Sequence, residues 1–280
     1  MDKNFFKKII VFGLILFNVY VWGIIGSYFL MKPAVHFLNV FQGDAILIGG
    51  KFGNILIDAG KKNYVLKPLS AKMAFFDKTI DVALVTHADT DHFEGFLSLL
   101  DYYKVKVVIA NDFSADNEKY QKLLQKIIEK DIKVVYGVTG TKIYSDEFDM
   151  NIVYPSASQI DNKKTNENSI VALVSIFDKN FLMTGDINNK ILNKIALDGL
   201  VKNIDFLKLA HHGAKNSVDS EFLEKFDIKD VAVSVGSNSY GHPNKTILEM
   251  LGSFGVNVLR TDQNGTISVF GDEKGYWISK

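Results

Sequence analysis

Thr86-His87-Ala88-Asp89-Thr90-Asp91-His92 is the stretch on which the reading of this chain turns. It sets two imidazoles and two carboxylates at i, i+2, i+4 and i+5. The apolar run Ile80 to Val85 before it predicts a buried strand. Phe93-Glu94-Gly95-Phe96-Leu97 after it reads as the start of a helix. Four potential ligands therefore crowd one strand-to-helix loop, the kind of place where a rigid scaffold presents chemistry. A solvated polar loop would account for one or two of them. Four together point to a metal site.

Three other stretches share this layout. Phe181 to Asp186 is an apolar strand ending in Gly-Asp. Phe206 to Gly213 is a strand ending in His211-His212-Gly213. Ile55 to Gly60 is a strand ending at Asp58. If these strands are neighbours, their ends converge. Asp186 could then bridge two metals, and His211 could complete one of them. Each residue alone also has a plain structural role open to it. Asp186 could cap the helix near Asn188, Asp58 could brace the turn at Gly60, and His212 could be a satisfied hydrogen-bonding group.

Composition narrows the chemistry. The 280 residues are 47% hydrophobic and 23% charged, enough for one sizeable globular domain plus a small extra element. Lys+Arg and Asp+Glu both number 32, so no whole-chain basic footprint for nucleic acid exists. There is no Cys, which excludes disulfides, zinc-thiolate sites and a cysteine nucleophile. Any metal must take His, Asp or Glu.

Ile9 to Met31 is apolar apart from Asn18 and Ser27 and carries no charge. At ~1.5 Å per residue a helix of this length crosses a ~30 Å hydrocarbon core. Its core is longer than a signal peptide's and no small-residue cleavage site follows it. Lys3, Lys7 and Lys8 precede it and only Lys32 follows closely. The positive-inside rule puts the N-terminus in the cytoplasm. The expectation is a single-pass anchor over residues 1–32 in the cell membrane, with an extracytoplasmic globular domain over 33–280.

Beyond Pro33, short strands over Ala34 to Val40, Ala45 to Ile48 and Asn54 to Asp58 with tight turns predict an antiparallel meander. Strands then alternate with helices, among them an amphipathic one over Asn117 to Lys130, and the scheme repeats in the second half. Ser156 to Asn168 reads as a polar loop. The pattern predicts an α/β fold of two packed sheets with helices outside, a four-layer αββα sandwich, with a three-layer α/β sandwich as the alternative.

Taken together, Phe37 to Asp44, Ile57-Asp58-Ala59-Gly60, the Thr86–His92 loop, Met183 to Asp186, Leu207 to Gly213, Tyr240-Gly241-His242-Pro243 and Arg260-Thr261-Asp262 resemble the metallo-β-lactamase superfamily. Within it they are most similar to the hydrolase domain of the ComEC-type competence DNA-uptake proteins. The resemblance implies the αββα fold. It implies His87 and Asp89 as ligands of a first metal, and Asp91 and His92 as ligands of a second. Asp186 would bridge the two and His211 would join the second. His212 and His242 would line the substrate side, and together with Asp91 they are the catalytic candidates. Asp89 stands where the wider superfamily has His, as in ComEC-type members. No His lies between His92 and Asp186, where the superfamily supplies a further ligand. Asn166-Glu167-Asn168-Ser169 occupies that place.

The expected activity is hydrolysis of a phosphodiester by a hydroxide that two divalent metals activate, zinc ranking first and manganese second. DNA is a candidate substrate, and competence machinery supplies candidate partners. The alternatives are amide, ester or lactam hydrolysis on the same centre, and a weakly catalytic metal-binding scaffold.

Overall fold

The computed structural model describes residues 3–29, 31–111, 116–160 and 165–280. Residue 30 of the predicted span and residues 161–164 of the Ser156–Asn168 loop lie outside the described residues. The chain divides into two compact units, Met1–Lys32 and Pro33–Lys280.

The first unit is one helix, α1 (Lys3–Phe29). It starts earlier than the apolar run because lysine is a good helix former, so Lys3, Lys7 and Lys8 lie within it. Asn4–Gly26 has a mean hydropathy of 2.3, long and apolar enough to cross a membrane. The apolar side chains surround the helix instead of forming one stripe, as in a segment that meets a wholly apolar environment.

In the second unit the described residues form two sheets. The first runs through β1 (Ala34–Phe37), β2 (Ile46–Gly49), β3 (Asn54–Ile57), β4 (Thr79–Leu84), β5 (Lys104–Ala110) and β6 (Lys133–Tyr136). The second holds β7 (Lys142–Tyr144), β8 (Phe148–Tyr154), β9 (Val171–Ile176), β10 (Lys179–Met183), β11 (Phe206–Lys208), β12 (Asp230–Val233) and β13 (Asn257–Arg260). The chain then returns to the first sheet with β14 (Ile267–Asp272) and β15 (Gly275–Ser279). The orders are β15-β14-β1-β2-β3-β4-β5-β6 and β13-β12-β11-β10-β9-β8-β7. β1, β2 and β3 pair antiparallel, as their tight turns predict.

Side-chain alternation explains the layering. Ile46, Ile48, Ile55 and Ile57 face a core between the sheets, shared with Met150, Val174, Phe181 and Phe206. The intervening Leu47 and Leu56 point the other way, into a core with Phe93, Phe96 and Leu99 of α3 (Thr90–Tyr102) and Leu123 of α4 (Glu118–Glu129). On the far side, Leu182, Leu207 and Val231 meet Leu192 of α5 (Asn189–Leu197), Phe222 of α6 (Ser220–Lys225) and Leu251 of α7 (Lys245–Ser253). Both sheets are thus buried on both faces, the four-layer αββα arrangement.

The strand directions matter for function. β3, β4, β5 and β6 run parallel. So do β10, β11, β12 and β13. The loops that follow β3, β4, β10, β11 and β12 therefore gather, and the backbone of Ile170 donates to the carbonyl of Thr86 across the gap between sheets (2.9 Å). Carboxyl ends of parallel strands are where α/β sheets place ligands.

Candidate metal centre

Five of the chain's 6 histidines meet here. Ring centroids lie 4.2 Å apart for His87 and His92, 5.3 Å for His92 and His212, and 5.5 Å for His211 and His242. The loop after β4 supplies His87, and the first turn of α3 supplies Asp91 and His92. The turn after β10 supplies Asp186. The segment after β11 supplies His211 and His212, both at positive φ (49° and 53°). His242 comes from the loop before α7.

Close backbone approach sets these elements in place. A Cβ on Gly43 would stand 2.2 Å from the Asp91 carbonyl, so only glycine lets the Asp44 loop touch the start of α3. A Cβ on Gly95 would stand 1.9 Å from the Ala59 carbonyl, and glycine there lets α3 lie against the Asp58 turn.

Asp58 is fully buried and accepts three hydrogen bonds. The Thr86 backbone N–H (2.8 Å) donates to Oδ1; the Thr86 hydroxyl (2.7 Å) and His92 Nδ1 (2.7 Å) donate to Oδ2. Since the Thr86 hydroxyl gives its proton to Asp58, it accepts from His87 Nδ1 (2.9 Å). One carboxylate thereby keeps the proton on Nδ1 of two imidazoles, His92 directly and His87 through Thr86, and turns both Nε2 atoms toward the centre. His212 is fixed in the same way by donation from Nδ1 to the Ser234 carbonyl (2.8 Å). Orienting partners of this kind fix ligand tautomers in metal sites.

The freed atoms converge. Asp186 Oδ2 lies 3.3 Å from His92 Nε2 and 3.6 Å from His212 Nε2, and Asp91 Oδ2 lies 3.7 Å from His212 Nε2. Nε2 of His87, His92 and His212 and Oδ1 of Asp44 and Asp186 are buried without a hydrogen-bond partner. Orphaned buried polar atoms are rare and costly, and this donor set suits a divalent cation that takes nitrogen and oxygen. Among the described residues four groupings place ligand atoms within 4.8 Å of one another: His87-His92-Asp186, Asp91-His92-His212, Asp44-Asp186-His212 and Asp44-Asp58-His92.

The charges are interlocked. Burial alone would lower the His92 pKa, but Asp186 and Asp58 together hold it well above the ordinary imidazole value. Burial would raise Asp186, yet His92, His212 and Lys208 hold it well below the usual carboxylate range. The carboxylates that retain a proton on His92 are those that would attract a cation. The His87 ring beside Asp89, with Nε2 3.7 Å from its Oδ2, holds that carboxyl below its ordinary value.

The predicted residues are not equivalent. His87, Asp91, His92 and Asp186 come together. Asp89 sits at the rim, its Oδ2 3.7 Å from His87 Nε2, and belongs to none of the four groupings. The paired histidines differ in burial, and both have Nε2 near Asp186 Oδ2, at 3.6 Å for His212 and 3.9 Å for His211. His212, expected on the substrate side, is buried and belongs to two groupings. His211, expected as a ligand, belongs to none; it is part exposed, with Nε2 3.9 Å from Asp186 Oδ2. His211 and His242 instead line a cleft of about 190 Å³ that opens onto Asp186, Asp89 and Asp91. Burial lowers the pKa of both.

Three site residues escape a reading by ligand motif. Asp44 is buried against Lys208, whose ammonium ion-pairs with it and lies 3.7 Å from Asp186 Oδ1. The signal was a lysine within the apolar run Phe206-Leu207-Lys208-Leu209, since an unpaired lysine is almost never fully buried. Ser169 braces the Asp186 turn, its hydroxyl accepting the Asp186 backbone N–H (3.1 Å).

Residues 38–113 match the family profile of the Metallo-beta-lactamase superfamily. The chain is 27% identical to ComE operon protein 3 of Bacillus subtilis (strain 168) over 95% of this chain and 37% of that protein. It is 24% identical to Competence protein ComA of Neisseria gonorrhoeae over 87% of this chain and 33% of that protein. It thus spans roughly a third of the length of these curated relatives. Among solved structures, the metallo-beta-lactamase fold protein YhfI from Bacillus subtilis matches with a TM-score of 0.56 at 13% identity, over 84% of this chain and 99% of that one, a likeness of fold.

Proposed function

We propose that this chain, whose second unit is a metallo-beta-lactamase domain related to competence proteins, is a membrane-anchored, metal-dependent hydrolase of phosphodiesters, nucleic acid among them. The observation that carries the reading is the convergence of three unpartnered imidazole nitrogens on Asp186 at the floor of an open cleft. Asp91, His92, His212 and Asp186 would hold a divalent cation, which would supply Lewis acidity and lower the pKa of water from about 16 to roughly 7. The protein's own groups do the rest. Asp58, Thr86 and the Ser234 carbonyl keep the imidazoles in the ligating tautomer. Asp91 stands beside the cleft to take the proton of the attacking water. As the water oxygen bonds to phosphorus, the bond to the leaving oxygen breaks, and His242 at the rim supplies the proton that oxygen needs. The exposed Tyr240, 5.8 Å from the His242 ring, borders the same rim.

The helix Lys3–Phe29 supports membrane association. The flanking lysines favour a cytoplasmic N-terminus and an extracytoplasmic domain. The relation to competence proteins supports a DNA substrate and partners in DNA uptake.

The test uses the purified full chain in detergent. Bis(p-nitrophenyl) phosphate, single-stranded DNA and a β-lactam are assayed with added manganese or zinc. Phosphodiester cleavage that EDTA abolishes and Asp186→Ala removes supports the reading. Cleavage that survives Asp186→Ala combined with His92→Ala refutes it, and turnover of the lactam alone assigns the centre to amide chemistry.

A further inference from the structure

The cleft over Asp186 is small. Its volume of about 190 Å³ lies below the roughly 300–1,000 Å³ of an ordinary ligand pocket. Gln42 and Tyr240 join the His and Asp side chains in its polar lining. It has room for a phosphate group, and the remainder of a phosphodiester must lie on the surface around it.

Two aromatic side chains stand on that surface. Tyr240 lines the cleft and is 71% exposed. Phe41 is 61% exposed and directly precedes Gln42. Both are held by a built scaffold. A Cβ on Gly236 would stand 2.5 Å from the Phe41 carbonyl carbon, so the Phe41 loop and the loop after β12 lie backbone to backbone. The Gly236 N–H also donates to Gln42 Oε1 (3.2 Å). Asn238 braces the second loop: its Nδ2 donates to the carbonyls of Gly236 (2.9 Å) and His242 (2.8 Å), and its Oδ1 accepts the backbone N–H groups of Tyr240 and His242 (3.1 Å each). The Phe41 ring meets Tyr64 edge-on at 4.9 Å, and Lys62 Nζ lies 5.6 Å from the Tyr64 ring centroid, a cation–π distance.

Phe41 is also strained. Its φ of 63° is one that glycine adopts freely and a residue with a Cβ does not. Burial of the ring does not offset that cost, because the ring is exposed. Strain kept at the edge of a site points to a use for the side chain.

We propose that Phe41 and Tyr240 are base-stacking platforms, so that the phosphodiester taken by the cleft belongs to a single-stranded polynucleotide, with its phosphate in the cleft and neighbouring bases on the two rings. This rests on the phosphodiester reading above and names its substrate class. Stacking on an aromatic face tolerates any sequence, since every base has a π-face. Bases in a duplex already stack on one another and cannot also cover the rings. A lipid phosphodiester would need an apolar wall for its chains, and the lining here is polar. Lys62, exposed beside Tyr64, supplies a cation for the strand's backbone near the Phe41 platform.

The test reads binding apart from turnover. The full chain in detergent with Mn²⁺ is titrated into fluorescein-labelled phosphorothioate oligothymidylate, which resists hydrolysis, and into an abasic strand of the same length and backbone. Fluorescence anisotropy gives Kd. The wild-type chain should bind the base-bearing strand about 5–150-fold more tightly for each stacked base, and should lose that preference when the strand is in a duplex. Phe41→Gly and Tyr240→Leu should each lower the preference by about the factor of one base, and the double variant should abolish it. Phe41→Tyr and Tyr240→Phe keep the rings and should retain it. Phe41→Gly removes strain along with the ring, so urea unfolding should find it at least as stable as wild type, which separates lost stacking from lost structure. Equal binding of base-bearing and abasic strands by the wild-type chain overturns the proposal, as does a folded double variant that keeps the preference; should that variant not fold, Tyr240→Leu alone decides. Ring-dependent binding without cleavage of unmodified oligothymidylate leaves the platforms standing and overturns the hydrolase reading. Cleavage without any base preference in binding does the reverse.

Discussion

Replacing Asp58 by Asn keeps its size and removes its charge, and the consequence follows from the three donors aimed at it. An amide has one accepting oxygen and one donating NH₂. With the oxygen placed where Oδ1 now accepts the Thr86 backbone N–H (2.8 Å), the NH₂ faces His92 Nδ1–H and the Thr86 hydroxyl, each 2.7 Å from Oδ2. His92 must then move its proton to Nε2. Thr86 must turn to accept from the amide, donating instead to His87 Nδ1, which drives the His87 proton to Nε2 as well. Both lone pairs offered to a cation are lost together. With the amide reversed, the imidazoles keep their tautomers, but two buried donors oppose each other at Thr86 N, at a cost of about 1–3 kcal/mol. Removing an orienting partner of this kind weakens metal binding about 10–100-fold, or about 1.4–2.8 kcal/mol at 1.4 kcal/mol per tenfold. Isothermal titration with Zn²⁺ and urea unfolding read the two routes separately, and ¹⁵N chemical shifts of the imidazoles report the tautomers. Thr86→Val cuts the relay to His87 alone and should weaken binding less than Asp58→Asn. An Asp58→Asn chain with wild-type affinity, wild-type unfolding and Nδ1-protonated His87 and His92 would refute the relay.

Away from the centre, His36 donates or accepts at Nδ1 with the Ser268 hydroxyl (2.9 Å), and burial with the nearby Lys72 lowers its pKa to about 3. The unfolded chain binds that proton first, at 6.5, so His36 favours the folded state above pH 6.5 and its contribution falls as pH drops from 6.5 toward 3, by up to about 1.4 kcal/mol per pH unit. His36→Leu should therefore flatten the loss of urea stability between pH 6.5 and 5; an unchanged slope would count against this assignment. Phe206 is fully buried between the sheets and stacks on Phe37 (5.4 Å, 18°), so Phe206→Ala should cost about 3–5 kcal/mol by urea unfolding. Stripping divalent ions with EDTA should lower the melting temperature, and restoring a cation at a hundred times its Kd should return about 2.7 kcal/mol; a chain indifferent to both would argue against a resident ion.

The architecture was largely legible because its strands announce themselves. β1, β2 and β3 fall where the short strands over Ala34 to Val40, Ala45 to Ile48 and Asn54 to Asp58 are predicted. Asn117, Asn188 and Asn244 cap α4, α5 and α7 through their side chains, as short polar residues before apolar periodicity tend to do. Short-range signals of this sort survive in sequence. What did not survive is any property set by contact across the sheets. Nothing in His211-His212 says which ring turns inward; that is decided by the left-handed backbone of both residues and by the Ser234 carbonyl, a partner from β12's loop. Asp58 read as a turn residue because its acceptors' partners lie 28 and 34 positions away. Lys208 stood out in its apolar run, but its counter-ion did not, because Asp44 lies in the distant loop between β1 and β2.

That division of labour between sheets has a mechanical consequence. His87 and His92 hang from one leaf, Asp186 and His212 from the other, and a backbone hydrogen bond from Ile170 to the Thr86 carbonyl joins the leaves beside them. An ion gripped by both would act as a rivet near the open edge, while the apolar layer glues the interior. Pulled apart in an optical trap, the leaves should part at lower force and from the cleft inward when the rivet is drawn, and they should resist longest where Phe37 lies on Phe206.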